Sequence, residues 1–262
     1  MRRRARDTRV ANNDSRGSPF SFVDDSPDPG SLVAYLDRAA IGLAAMKRYM
    51  AAAGLRVAES GPVLDVGCGA GHDLALLEAH GYTPIGIDAS AVMATETKQR
   101  MPHVAIARAT GEHLPFADGV FVGCRMERVL IHVDEPAAVL AEAARVVRPD
   151  GFLNVFEPDW SSVTIAGDDD GIAARLHTPR SGDVGGRLEE LVDDAGFVVR
   201  DVVTEDSRGY TLSRVPIDIE RNLRRLLPER DAEAWLANQR GREAAGEFRA
   251  RWLKTLVVAT KG

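Results

Sequence analysis

Cysteine is scarce in this sequence of 262 residues, which contains only Cys68 and Cys124. Two cysteines cannot build the disulfide framework of a small secreted protein, and their scarcity predicts a reducing, cytoplasmic setting. No apolar run approaches the roughly 20 residues that span a bilayer, so we expect no transmembrane helix. Basic charge is also in deficit, because the net charge of −6 lacks the positive footprint of a nucleic-acid-binding protein.

The composition that is present, 45% hydrophobic and 27% charged residues, is ordinary for a globular protein. Residues 1–30 are the exception, because arginines at the start are followed by Asn, Asp, Ser, Gly and Pro with little apolar material. This composition predicts a flexible N-terminal tail. Residues 31–58 then carry apolar side chains at three- and four-residue spacing, a period that predicts helices. We therefore expect one domain over residues 31–262.

From residue 62 onward, short apolar runs that predict strands alternate with segments that predict helices. Strands are expected at residues 63–66, 84–88, 103–107, 120–124, 152–156, 197–203 and 255–260. Strict alternation implies a parallel sheet that is covered by helices on both faces. Residues 158–186 are polar and rich in glycine, so we expect an irregular excursion there, and residues 213–254 are expected to be helical.

A glycine-rich turn joins the first of these strands to the next helix, in the segment Asp65-Val66-Gly67-Cys68-Gly69-Ala70-Gly71. Its glycines permit tight backbone geometry and let a ligand approach the main chain, at the edge where parallel sheets bind ligands. The G-x-G-x-G spacing differs from the dinucleotide fingerprint, and no Lys follows as in a phosphate-binding loop. Asp88 ends the second strand, where a carboxylate can accept both hydroxyls of a ribose. The expected ligand is a nucleoside without a pyrophosphate.

Four motifs in register carry a family resemblance. They are the glycine loop, Gly86-Ile87-Asp88, Glu112-His113-Leu114-Pro115-Phe116 and Arg145-Val146-Val147-Arg148-Pro149-Asp150-Gly151. Together they resemble the class I S-adenosylmethionine-dependent methyltransferases, and among these the small-molecule subgroup of the ubiquinone/menaquinone-biosynthesis type (methyltransferase type 11). The resemblance covers about residues 60–160 and weakens on either side.

The resemblance implies a Rossmann-like α/β fold, with a seven-stranded, mostly parallel sheet, helices on both faces and the last strand antiparallel. It assigns residues 31–58 to N-terminal helices and residues 60–160 to the cofactor-binding core. A helical insertion before the last strand, at residues 213–254, would be a cap or a dimer element.

The resemblance also implies S-adenosyl-L-methionine as the cofactor and assigns the residues that would hold it. They are Asp65, Gly67, Cys68, Gly69, Gly71, Asp88, Ala89, Met93, Thr110, Gly111, Glu112, Cys124 and Arg125. Asp88 would bind the ribose, and Ala89 and Met93 would pack near the adenine. Asp65 would orient the loop or the amino group of the cofactor. The family usually has an acidic residue at the position of Thr110, so the adenine contact departs from the pattern here.

Methyl transfer from a sulfonium donor needs chiefly the alignment of the acceptor, because the donor is already activated. A general base adds to the rate where the acceptor must lose a proton, and His132, just beyond the fourth strand, is the candidate. Its alternative role is to pack against or cap a helix. The candidate substrate contacts are Tyr35, Trp160, His177 and Arg180, with Phe22 and Tyr35 as a lid over the site.

The sequence thus predicts a methyltransferase that acts on a small molecule, with a role in secondary metabolism and a homodimer as one possible assembly. Nucleic acid and membrane are not expected partners, and no metal motif is present. Three alternatives stay open: a cofactor-binding protein of the same fold that transfers no methyl group, a nucleotide-dependent oxidoreductase, and a methyltransferase acting on RNA or protein.

Overall fold

Seven strands form one sheet in the computed structural model, which describes residues 23–55, 60–168, 171–176, 181–215 and 219–262. Their order across the sheet is β3-β2-β1-β4-β5-β7-β6. The strands are β1 (Pro62–Val66), β2 (Thr83–Asp88), β3 (Ala105–Arg108), β4 (Phe121–Glu127), β5 (Val147–Ile165), β6 (Phe197–Gly209) and β7 (Ala250–Lys261). Strands β1 to β5 pair in parallel, whereas β7 lies antiparallel between β5 and β6. This arrangement confirms the predicted fold class.

Eight α-helices accompany the sheet in the described part of the chain. They are α1 (Pro29–Gly42), α2 (Ala44–Leu55), α3 (His72–Ala79), α4 (Ala91–Arg100), α5 (Pro136–Val146), α6 (Leu188–Asp194), α7 (Ile219–Leu226) and α8 (Glu229–Ala244). Ser90 caps the N-terminus of α4, because its hydroxyl accepts the Met93 N–H at 3.2 Å. None of the helices among the described residues is long and apolar enough to cross a membrane.

The sheet is buried on both faces, as the alternation along β7 demonstrates. Leu256 and Val258 pack with Met50 of α2. Val257 and Ala259, which point the other way, belong to the main core with α5 and α6. Because side chains alternate along a strand, a run of consecutive apolar residues indicates burial on two sides.

Three strands extend well beyond the residues that the sequence predicts for them. β5 continues to Ile165, through part of the expected excursion, and β6 continues to Gly209. β7 begins at Ala250, so the predicted helical segment 213–254 is wrong over its last residues. The sequence hides the extension of β5 because its polar residues lie at a bulge between Asp159 and Thr164, where the Ser162 hydroxyl accepts the Leu253 N–H at 2.8 Å. We call residues 159–165, 204–209 and 250–255 the arm.

The N-terminal segment is described from Val23, which is buried. Asp24 accepts hydrogen bonds from the N-terminus of α4, namely from the Ser90 hydroxyl and the Ala91 and Val92 N–H groups. The last part of the predicted tail, residues 23–30, therefore contacts the domain, and α1 begins at Pro29. Residues 1–22 lie outside the described part of the chain.

Gly123 is expected to be indispensable for packing in the centre of the sheet. A Cβ at this position would lie 2.2 Å from the buried ring of Phe152. Gly123→Ala should therefore lower the free energy of unfolding by about 1–3 kcal/mol, measured by urea denaturation. The matched control is Gly241→Ala within α8, where a Cβ would meet nothing within 4 Å. That change should stabilise the protein by about 0.5–1 kcal/mol, and equal effects of the two changes would contradict the packing argument.

Candidate functional site

The turn after β1 is built from glycines that cannot be replaced. Gly67, Gly69 and Gly71 have φ angles of 69°, 54° and 82°, in the left-handed region that favours glycine. A Cβ on Gly67 would lie 2.6 Å from Val129, and one on Gly71 would lie 2.9 Å from Thr97. The turn therefore presents bare backbone at the carboxyl edge of the sheet, directly before α3.

Asp88 stands beside this turn with both carboxylate oxygens held in place. Oδ2 accepts the Gly69 N–H at 2.9 Å, and Oδ1 accepts the Ser90 N–H at 2.9 Å. Burial raises the pKa of Asp88 above its usual value, against these two hydrogen bonds. Each oxygen keeps a second lone pair. The carboxylate can therefore accept two further hydroxyl groups, as a ribose would supply.

Ala89, Thr110, Gly111 and Glu112 continue the wall next to Asp88. The Ala109 N–H donates to the Asp88 carbonyl at 3.1 Å, which brings the segment after β3 to the same edge. Ala89 and Thr110 are exposed, Glu112 is half-buried, and Gly111 is buried beside Val139. The structure thus brings Ala89, Thr110, Gly111 and Glu112 to one edge with Asp88, and Met93 is buried on α4.

A network of buried charges lies on the other side of the glycine turn. Arg125 on β4 is opposite Asp65 on β1 in the sheet register, and its Nη1 contacts Asp73 Oδ1 at 2.7 Å. Lys47 of α2 donates to Asp73 Oδ2 at 2.6 Å and also contacts Glu127 Oε2. Burial opposes ionisation of Asp73, but Arg125 and Lys47 outweigh it and hold the pKa of this carboxyl well below its usual range.

Asp65 is the member of this network with spare accepting capacity. Its Oδ1 lies 3.8 Å from Arg125 Nε, whereas its buried Oδ2 accepts no hydrogen bond from the described residues. Burial raises the pKa of Asp65 to about 7, with Arg125 opposing the shift. A buried acceptor without a partner is costly, so this oxygen is suited to a cationic donor from a ligand.

The first two helices cover the glycine turn. A Cβ on Gly69 would lie 3.1 Å from Leu36 of α1, and His72 Nε2 lies 2.8 Å from Asp37 Oδ1. The Asn154 amide donates to the Met50 carbonyl at 2.6 Å. α1 therefore lies against the glycine turn and the start of α3, and α2 lies against β5.

His132 lies in a 3-10 helix, Leu130–His132, directly after β4. Burial and the neighbouring charge of Arg128 lower the pKa of His132 to about 4, so the imidazole is neutral near pH 7. Glu157 supports the start of this helix, because its Oε1 accepts the N–H groups of Val129 at 2.8 Å and Leu130 at 2.7 Å. Burial raises the pKa of Glu157 to about 8, against those hydrogen bonds.

The predicted substrate contacts differ in where they lie in the structure. Tyr35 is half-buried on α1, which covers the glycine turn. The Trp160 backbone N–H donates to the Gly182 carbonyl at 2.7 Å. Its side chain is buried in the main core, which fits a packing group better than the wall of an open pocket. His177, Arg180 and Phe22 lie outside the described residues.

The fourth strand ends three residues later than predicted. Cys124 does not end it, since β4 continues to Glu127 and Cys124 is fully buried opposite Leu64. An arginine after an apolar run suggests a strand end, but Arg125 stays in the sheet because carboxylates surround it. Cys68 is buried and burial raises the pKa of its thiol, which fits a packing residue.

Sequence reasoning missed Lys47, Asp73 and Glu127. The available signal was charge inside apolar segments: Asp73 follows the glycine turn directly, and Glu127 closes the run Cys124-Arg125-Met126-Glu127. Lys47 contacts both carboxylates although it is 26 residues from Asp73 and 80 residues from Glu127 in the chain. No local sequence pattern predicts such contacts.

Comparison with known proteins agrees with this geometry. The family described as "Methyltransferase domain" matches residues 64–155. A protein of a Streptomyces fradiae transposon, described as uncharacterized, is 36% identical over 96% of this chain and 76% of its own length. The demethylmenaquinone methyltransferase of Beutenbergia cavernae is 37% identical over 38% of this chain, which spans only 42% of that relative.

Among solved structures, the geranyl diphosphate C-methyltransferase of Streptomyces coelicolor A3(2) aligns with a TM-score of 0.53 over 96% of this chain and 88% of its own. The identity is 16%, so the likeness concerns the fold. A sheet of this order with a glycine turn and a carboxylate at its edge defines the class I methyltransferase fold. Residues 64–155 are therefore a methyltransferase domain of the S-adenosylmethionine-dependent kind, and S-adenosylmethionine is the cofactor.

The raised pKa of Glu157 predicts a specific pH dependence. The folded protein keeps a proton on Glu157 up to pH of about 8, whereas the unfolded chain releases it near 4.5. Stability should therefore fall as pH rises between these values. Glu157→Gln keeps an amide oxygen for the two N–H groups but removes the titration. The variant should gain stability relative to the parent from pH 5 to 8, measured by urea denaturation. Glu189→Gln, at an exposed position of α6, is the control. A stability difference between Glu157→Gln and the parent that does not change with pH would contradict the raised pKa of Glu157.

Proposed function

We propose that this chain transfers a methyl group from S-adenosylmethionine to a small-molecule acceptor. The observation that carries the proposal is the fixed Asp88 carboxylate beside the bare glycine turn, with both oxygens oriented by backbone N–H groups at 2.9 Å. A ribose is the ligand group that two oriented carboxylate oxygens suit best. The demethylmenaquinone methyltransferase named above, which matches the cofactor-binding core, supports a small acceptor.

Each end of the cofactor has a suitable partner in the site. Asp88 would bind the ribose hydroxyls, and the unpartnered Oδ2 of Asp65 would accept from the ammonium group. Gly67 and Gly69 bring bare main chain to the edge where the ligand would lie. The cofactor supplies a methyl group that is already activated by its positive sulfur, so the protein needs to hold it, align the acceptor and exclude water.

The remaining polar groups have supporting roles in this proposal. Glu157 holds the 3-10 helix on which His132 lies, and the neutral imidazole of His132 can take a proton from an acceptor hydroxyl or amine. Tyr35 and the rest of α1 would cover the bound reactants. Thr110, with its exposed hydroxyl, would face the adenine where the family usually has an acid. His177 and Arg180 stay candidate acceptor contacts.

The amino-acid composition supports our proposals for the class of acceptor and the cellular compartment. A net charge of −6 is unfavourable for a nucleic-acid acceptor, and two free cysteines are compatible with a reducing cytoplasm. A role in secondary metabolism and a homodimer built on residues 213–254 also stay proposals. Size-exclusion chromatography with light scattering tests the dimer.

Cofactor binding should depend on Asp88. Asp88→Asn removes the negative charge and replaces one acceptor oxygen with a donor, so it should weaken S-adenosylmethionine binding at least about tenfold in calorimetric titration. Asp193→Asn is the same change at an exposed position of α6. It is the control and should leave S-adenosylmethionine binding unchanged. Equal binding by the parent and Asp88→Asn would refute the ribose contact.

Methyl transfer itself is tested by product formation. The protein should convert S-adenosylmethionine to S-adenosylhomocysteine when quinols, phenols and amines are supplied, with a methylated acceptor seen by mass spectrometry. His132→Ala should lower kcat by about 10²–10⁴-fold if His132 is the base, with little change in cofactor affinity. If the protein binds the cofactor tightly but converts an acceptor without methylating it, the result would favour the alternative of a cofactor-binding protein that transfers no methyl group. No S-adenosylmethionine binding by the folded parent would overturn the proposal altogether.

A further inference from the structure

The tip of the arm carries a second cleft, remote from the glycine turn. Its volume is about 410 Å³, and it is lined by Thr164, Ile165, Ala166, Arg208, Tyr210, Arg249, Ala250 and Arg251. Ile165 pairs with Ala250 on β7 and Glu157 pairs with Thr255, five residues further along β7, so the two are separated by about 17 Å along the sheet at a rise of roughly 3.3 Å per residue. A cleft of this size can hold a small molecule, but its position separates it from the cofactor.

Positive charge converges on one face of this cleft. The register places Thr164 opposite Arg251 on β7, and Arg251 opposite Arg208 on β6, so these three side chains share a face. Like charges directly opposite each other on neighbouring strands are destabilising. Such a pair is retained at a cost unless an anion lies between them.

The protein supplies one carboxylate to this arginine pair. Asp206 Oδ1 accepts from Arg251 Nε at 2.7 Å, and Oδ2 accepts from Arg208 Nη2 at 3.4 Å. Hydrogen bonding to Arg251 lowers the pKa of Asp206, although some desolvation opposes it. Asp206 thus orients both guanidinium groups but neutralises only one charge.

A third arginine is held at the same cleft by the main chain. Arg249 Nη1 donates to the carbonyls of Gly246 at 2.8 Å and Phe248 at 2.7 Å, and its guanidinium lies 5.3 Å from the centre of the Tyr210 ring. Tyr210 is 57% exposed. The three arginines that line the cleft and Asp206, which bridges two of them, together carry a net charge of +2 beside an exposed aromatic residue.

We propose that this cleft is a binding site for a phosphate ester of a small molecule, independent of the methyl-transfer site. Guanidinium groups match the geometry of phosphate oxygens in bidentate contacts. Arg208 and Arg251 bind the phosphate through the guanidinium N–H groups that Asp206 does not occupy. Arg249 adds a third positive charge, and Tyr210 offers a face to the organic part of the ligand. No described residue of the glycine turn takes part.

Inorganic pyrophosphate is the probe, titrated calorimetrically into the full-length protein at low ionic strength. Saturable binding with a dissociation constant of about 1 mM or tighter is expected. Arg208→Ala and Arg251→Ala should each weaken it at least about tenfold. Arg251→Lys should weaken it less, because the charge stays but the bidentate fork is lost. All these side chains are exposed, so the fold should persist, and unchanged S-adenosylmethionine binding reports on that directly.

Arg200→Ala is the matched control, since Arg200 is exposed on the same strand but donates to Thr260 at 2.9 Å outside the cleft. Its pyrophosphate affinity should equal that of the parent. Equal weakening by Arg200→Ala and Arg251→Ala would mean attraction to general surface charge and would overturn the proposal. Absence of saturable binding, or full affinity in Arg208→Ala, would overturn it as well. Either result leaves the proposed methyl transfer untouched, because the cofactor titration is read separately.

Discussion

A guanidinium buried inside a sheet constrains much of the functional edge. Arg125 is 3% exposed, and an ion at such a position is tolerated only when opposite charges surround it. The chain provides them from three elements, with Asp65 on β1, Asp73 on α3 and Glu127 at the end of β4. The strand, the glycine turn and the helix after it are thereby held in one relative position.

Lys47 extends this constraint to the N-terminal helices. Its ammonium group contacts Asp73 and Glu127, so α2 is attached to the same carboxylates that neutralise Arg125. The two helices that cover the glycine turn are consequently coupled to the charge balance beneath it. A zwitterionic ligand group entering beside Asp65 would meet a network whose positive and negative members are already paired, apart from one carboxylate oxygen. This explains how a polar cofactor end can be accommodated in a buried place.

The glycine turn and the carboxylate beside it were largely predictable, whereas the burial of Trp160 and the ends of the strands were not. The spacing of Gly67, Gly69 and Gly71, with Asp88 at the end of β2, is a local pattern that backbone geometry imposes. Trp160 looked like a pocket wall because it follows a strand at the ligand edge, yet β5 continues past it and buries the ring. Cys124 looked like a strand end because a charge follows it. Both errors have one cause, since a polar residue in a strand is interpretable only when its partners are known.

The sequence alone determined the α/β class, the order of alternating elements, the glycine turn and the nucleoside-type cofactor, because these depend on periodicity and on residues close together in the chain. Tertiary structure decided the length of β5 and β7, the arm and its arginine face, and the coupling of Lys47 to Asp73 and Glu127. Those features depend on which distant side chains meet and on how burial changes the energy of a charge. A buried ion is unfavourable by itself and acceptable beside its partner, and only the folded chain establishes which of the two applies.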